Sequence, residues 1–198
     1  MAVGDVDGDG LPDIFLASLE KPAALYHNNG SFKFTDVTAA SGIDTRGLAT
    51  MCAAFADVNG DGKLDLVVGT LGGPIKLWIG DGHGHFTDST GVSGIPGGYA
   101  ATGLTFADVN GDGHLDLYVA TYKTRNLLDV YPPNEISFSR TVQKVNGQYQ
   151  VRPEWQKEYR VEDRPDLGGV MRSQRADPDL FLINDGKGHF TRTPISGT

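Results

Sequence analysis

Three short acidic segments carry the most chemically suggestive spacing in the chain. DVDGDGLPD starts at Asp5, DVNGDGKLD at Asp57 and DVNGDGHLD at Asp108. Each places side-chain oxygens at alternate positions around a turn that Gly10, Gly62 or Gly113 allows to bend sharply. Loops of that kind suit hard cations that take many oxygen ligands, calcium above all. The expected side-chain ligands are Asp5, Asp7, Asp9 and Asp13; then Asp57, Asn59, Asp61 and Asp65; then Asp108, Asn110, Asp112 and Asp116. By analogy with other calcium loops, the seventh position contributes its backbone carbonyl, so Leu11, Lys63 and His114 can differ freely there. An EF-hand begins alike but needs an acidic residue at position 12, where this chain has Leu16, Val68 and Val119. Without a cation, three or four carboxylates crowded together three times over would repel one another. The expectation is therefore about three Ca2+ ions.

The elements around these loops repeat with them. The loops start at residues 5, 57 and 108, and SGI recurs at Ser41 and Ser93. After each loop comes a short apolar run, as in Leu64-Asp65-Leu66-Val67-Val68, and then a second run, as in LYHNNGSFKF or LWIGDGHGHF. Such runs, bounded by Gly and Asp, read as strands, and Asn29-Gly30 and Asp81-Gly82 mark hairpins. Each period thus holds strand A, the acidic loop, strand B, strand C, a turn and strand D, which is one blade of a β-propeller. The expected fold is all-β: a partial propeller of about three four-stranded blades, the first truncated at Met1-Ala2-Val3.

The third period closes late. FLINDGKGHF, Phe181 to Phe190, matches the strand C to strand D text, so an insertion separates strands B and C of blade three. The expected division is blade one 1–43, blade two 44–95, blade three 96–121 with 179–193, and insertion 122–178. That insertion holds 10 of the 17 basic residues and 8 of the 25 acidic ones. It is net positive on a strongly acidic frame. Inside it, VQKVNGQYQV reads as a hairpin turning at Asn146-Gly147, and the charged stretch from Arg152 to Arg175 as irregular structure. Arg152, Trp155, Lys157, Tyr159, Arg160, Arg164, Arg172 and Arg175 are candidates for a cationic, aromatic surface that takes an acidic sugar or a protein.

Composition bounds the partners. A net charge of -8 argues against nucleic acid or an anionic membrane surface. One cysteine, Cys52, excludes an intrachain disulfide framework and reads as packed rather than reactive. No apolar run is long enough to span a bilayer, and MAVGDVDGDG lacks the basic start and apolar stretch of a signal peptide. His85 and His189 share a repeat position with Lys33, so they read as surface residues, not a catalytic pair. Trp78 aligns with Tyr26 and Leu182, as packing requires.

With the loops and blades in place, the chain resembles the VCBS/FG-GAP class of calcium-binding β-propeller repeats, related to the integrin α-chain head. LYHNNGSFKFTDVTAASGI is also similar to blades of bacterial proteins of the cartilage-acidic-protein (ASPIC/UnbV-associated) type. The resemblance implies calcium in the loop between strands A and B, a secreted, periplasmic or cell-surface location for the parent protein, and a role in adhesion or ligand binding. No FG-GAP tetrapeptide pair occurs, so integrin-like recognition is not carried over. Three blades, with Ser196-Gly197 resembling the start of another link, imply the remaining blades of a longer chain, or self-association. The expected function is a calcium-stabilised, non-catalytic module that binds a protein or an anionic glycan. A polysaccharide lyase and a structural spacer are the alternatives.

Overall fold

The computed structural model describes residues 1–194, so Ser196-Gly197 lies outside the described residues. The described residues divide into two compact units, 1–124 with 178–194, and 125–177.

The first unit holds three antiparallel four-stranded sheets, each in simple up-and-down order. Blade one comprises β1 (Ala2–Gly4), β2 (Asp13–Leu16), β3 (Ala24–Asn28) and β4 (Phe34–Asp36). Blade two comprises β5 (Thr50–Ala56), β6 (Asp65–Thr70), β7 (Lys76–Gly80) and β8 (Phe86–Asp88). Blade three starts with β9 (Ala100–Ala107) and β10 (Asp116–Tyr122) and finishes after the insertion. Its last two strands, β15 (Leu180–Asn184) and β16 (Phe190–Thr193), complete the sheet. Leu117 pairs with Leu182 and Val119 with Leu180, so strand C returns to its place beside strand B. The unit is a partial propeller, and its first strand is short, three residues against seven and eight in the other blades.

Packing between blades explains the texture of the strands. All six residues of β6 are buried, whereas β2 and β10 each leave positions exposed. Leu66, Val68 and Trp78 join Phe15, Leu25 and Ile43 in one apolar cluster; Val67 and Leu77 join Leu117, Val119, Leu180 and Leu182 in another. β6 therefore reads as an unbroken apolar run because each of its faces meets a different blade. The SGI repeat has a geometric cause as well. Gly42 and Gly94 have φ of 83° and 71°, and a Cβ there would lie 2.6 Å from the Phe86 carbonyl oxygen and 2.3 Å from that of Phe190. Only glycine lets strand D of the next blade pass so close.

The second unit contains two hairpins. β11 (Val142–Val145) pairs with β12 (Gln148–Val151) around Asn146 and Gly147, both at positive φ. β13 (Tyr159–Arg164) pairs with β14 (Gly169–Gln174) over six residue pairs, so the stretch read as irregular is ordered. Its turn is a 3-10 segment, Pro165–Leu167, followed by Gly168 and Gly169 at φ of 94° and 129°. No helix among the described residues is long and apolar enough to cross a membrane.

Candidate metal centres

Each acidic loop winds around its own first aspartate. Asp5 accepts the backbone N–H groups of Gly8 (2.8 Å) and Gly10 (2.9 Å). Asp57 accepts those of Gly60 and Gly62, and Asp108 those of Gly111 and Gly113, at 2.7 to 2.9 Å. The fifth-position carboxylates, Asp9, Asp61 and Asp112, accept the N–H of position seven, which is Leu11, Lys63 or His114. Side chains at position seven are exposed, which leaves the backbone as that residue's contribution to the loop.

The ninth position differs in kind. Asp13, Asp65 and Asp116 open β2, β6 and β10 and are at most 1 % exposed. One oxygen accepts the N–H of loop position two, Val6, Val58 or Val109. The other accepts the N–H of the last residue of strand C, Asn28, Gly80 or Asn184, at 2.9 Å in all three blades. The closing carboxylate is thus a clamp between loop and strand as well as a candidate ligand, a role the spacing alone does not reveal.

Electrostatics follow from this arrangement. Burial, with the charges of Asp61 and Asp57 nearby, pushes Asp65 up to about 6 despite its two backbone donors. At Asp5 partial desolvation acts upward, but the N–H groups of Gly10 and Gly8 outweigh it and hold the carboxyl below its usual range. The His114 N–H, helped by the Asn110 amide, does the same for Asp112. In the first loop, carboxylate oxygens of Asp5, Asp7 and Asp13 all lie within 4.8 Å of one another. An all-oxygen donor set that penalises its own buried negative charge fits a hard dication.

The sequence reading missed His27. Its imidazole, on β3, stands 3.0 Å from Asp7 and 3.3 Å from Asp13. The signal lay in the internal alignment, because the same repeat position is Ile79 in blade two and Ile183 in blade three. His85 and His189 sit in the turns before strand D, His85 against the Ala40 carbonyl and His189 beside Asp185. The Cys52 Sγ lies 3.3 Å from the Ala101 carbonyl oxygen, and burial raises its pKa.

The insertion's eight candidates fall into different settings. Tyr159 is buried, and Arg172 stacks on it with 4.1 Å from guanidinium to ring centre. Nη1 of Arg172 donates to the Ile136 carbonyl and the Thr141 hydroxyl. Nε of Arg175 donates to the carbonyls of Gln156 and Tyr159. Trp155 packs between Tyr131 and Tyr159, at 5.3 and 5.9 Å between ring centres. Arg160 pairs with Glu162 and Arg164 with Asp166. Nη2 of Arg152 reaches the Ser139 carbonyl at 3.5 Å, and Lys157 is exposed. A concavity of about 340 Å³ brings Tyr159, Arg160 and Arg175 together with Tyr149 and Gln156; the other five candidates do not line it.

A repeated four-stranded blade whose A–B connection is an acidic loop defines a β-propeller repeat protein. The FG-GAP-like repeat model matches residues 5–68 and 57–119, and the chain belongs to that family. It is also similar to cartilage acidic protein 1 of mouse and human, 35% identical over 79 residues, and to that of Xenopus tropicalis at 34%. The matched stretch is 40% of this chain and 12% of each relative, so the chain spans a small part of the curated relatives it matches.

Proposed function

We propose that the chain is a calcium-stabilised segment of an extracellular β-propeller and that it acts as a non-catalytic binding module. The observation that carries the calcium reading is the threefold recurrence of one donor arrangement. A buried carboxylate at position nine closes an oxygen-rich loop in every blade, and in blade two that carboxylate is pushed up to about 6. Bound calcium would neutralise the loops through Asp5, Asp7 and Asp13 and their counterparts, and so stiffen the joint between strands B and C. Extracellular calcium modules bind at about 10⁻⁴–10⁻³ M, a range that cytosolic calcium does not fill. The curated relatives are named for cartilage, in keeping with a secreted, periplasmic or surface location for the parent protein.

The binding role is assigned to the insertion. Long loops on a rigid scaffold are where recognition usually resides, and this one is net positive on a framework of opposite sign. Arg160 and the exposed Tyr149, which line the same concavity, supply the cationic, aromatic character an acidic sugar needs.

Metal analysis of calcium-saturated protein should give close to three ions per chain; fewer than two overturns the metal reading. Chelation should lower the melting temperature, because an ion that binds only the folded state stabilises it. For the binding role, the chain should be retained on a polyuronate matrix without turnover, and Arg160→Glu should abolish retention. Release of unsaturated oligosaccharides would transfer the reading to a lyase.

A further inference from the structure

The three loops are near copies, yet one has a nitrogen ligand at hand. In blades two and three the residue before the end of strand C is Ile79 or Ile183, and in blade one it is His27. Its Nδ1 lies 3.0 Å from Oδ2 of Asp7 and 3.3 Å from Oδ1 of Asp13, and its Nε2 lies 4.0 Å from Oδ2 of Asp9. One donor atom each from Asp7, Asp9 and His27 can be chosen within 4.8 Å of one another. Two ligands that share a small dication at about 2.0–2.2 Å stand about 3–3.5 Å apart, so the Nδ1–Asp7 separation already has the length of one edge of a coordination polyhedron, and Asp9, whose 4.0 Å contact is to the other ring nitrogen, closes up when an ion is bound.

Imidazole changes which ions such a site prefers. Calcium seeks oxygen only, whereas a mixed nitrogen and carboxylate set suits zinc, cobalt and the neighbouring first-row dications. The side chains of His27, Asp7 and Asp9 keep 28, 25 and 37 % of their surface, so an ion can reach them with water still attached. Beside them is a cavity of about 260 Å³ that Asp7, Asp13 and His27 share with His83 and His85. These two come from the turn between strands C and D of blade two, which is fixed against the loop where the Gly84 N–H donates to the Val6 carbonyl at 3.0 Å. The cavity gives the remaining coordination positions room and a second source of imidazole. At the other blade junction the corresponding residues are Ile79, Lys187 and His189, which offer no such convergence.

We propose that the first loop prefers a transition metal to calcium, with Asp7, Asp9 and His27 as ligands and zinc as the ion class, and that it differs in selectivity from the loops at Asp57 and Asp108, so that calcium fills it only where zinc is absent. The assignment does not rest on calcium occupancy, because its donors converge whether or not the oxygen-only loops are filled.

The test uses the chelator-treated 198-residue chain, titrated with Zn2+ by calorimetry and with Co2+ by visible absorption. One equivalent of Zn2+ should bind, and Co2+ should give a ligand-field band with a nitrogen donor. His27→Ile, which copies the residue of the other two blades, should weaken Zn2+ at least 100-fold, abolish the band and leave calcium uptake at the other loops intact. The double variant His83→Gln/His85→Gln should stay within tenfold of wild type. Absence of Zn2+ binding, equal affinity in His27→Ile, or loss in the double variant with retention in His27→Ile overturns the proposal. In the second of these outcomes His27 is a hydrogen-bond partner of the loop only. A chain that binds Zn2+ through His27 but takes up no calcium keeps this assignment and removes the calcium reading.

Discussion

The blades and the insertion meet the same need with opposite charges. In each blade an aspartate, at most 1 % exposed, gathers two backbone N–H groups, one from the acidic loop and one from the end of strand C. In the insertion arginines gather carbonyls: Arg172 takes that of Ile136, and Arg175 those of Gln156 and Tyr159. Irregular backbone in a small unit must find hydrogen-bond partners, and a charged side chain makes the strongest ones. The uneven distribution of charge along the chain is therefore partly architectural. A cationic insertion is not in itself a cationic binding face, because several of its guanidinium groups are turned to their own backbone.

Substitutions can break this comparison at either end. Asp65→Ala should have the largest effect in calcium-saturated buffer, where its charge is neutralised: about 4 kcal/mol of unfolding free energy by urea titration, because it leaves the buried N–H groups of Val58 and Gly80 without acceptors. A loss below about 1 kcal/mol would mean that the clamp does not matter.

The next effect depends on pH. With its folded pKa raised to about 6, above the ordinary value of 3.8, Asp65 binds a proton more tightly in the calcium-free folded state than in the unfolded one. Its contribution therefore opposes folding at pH 7 and improves as pH falls through 6 towards 4. The stability of wild type relative to Asp65→Asn should rise over that window by up to about 3 kcal/mol without calcium. Saturating calcium should flatten the difference. A flat profile in both conditions would place Asp65 in a wetter setting than its burial indicates.

Arg172→Met tests the cationic half. Loss of the bonds to Ile136 and Thr141 and of the stacking on Tyr159 should cost about 2 kcal/mol. The loss should appear as faster hydrogen exchange within residues 125–177, with the blades unchanged. Equal exchange throughout would show that the guanidinium is dispensable to its unit. Smallest is Tyr118→Phe, which removes a bond from the phenol to Asp179 at a half-exposed site, worth about 0.5–1 kcal/mol by thermal melting.

How much of this the sequence displays depends on whether a residue's task is local. The acidic loops are legible because nine consecutive positions specify them, and β6 because two-sided burial writes a continuous apolar run. Paired strands β13 and β14 are hidden because Arg160, Glu162, Asp163 and Arg164 mask their alternation, although Pro165 and Gly168-Gly169 mark the turn. His27 lies 14 residues beyond the end of its loop and reaches it only through the pairing of β2 with β3. The clamp is invisible for a similar reason, since a closing ligand and a backbone clamp require the same aspartate.

Blade three closes its own ladder before the insertion starts. Val119 pairs with Leu180, and Asp179 accepts the N–H of Thr121, so the chain leaves and rejoins the sheet at neighbouring points. A segment spliced between two adjacent anchors leaves the host strands little to rearrange, and the cost of loop closure grows only slowly with its length. Blade three is in that sense a socket. Exchanging the segment between Thr121 and Asp179 for another that folds with its ends together would change what the molecule carries without rewriting the repeat that holds it.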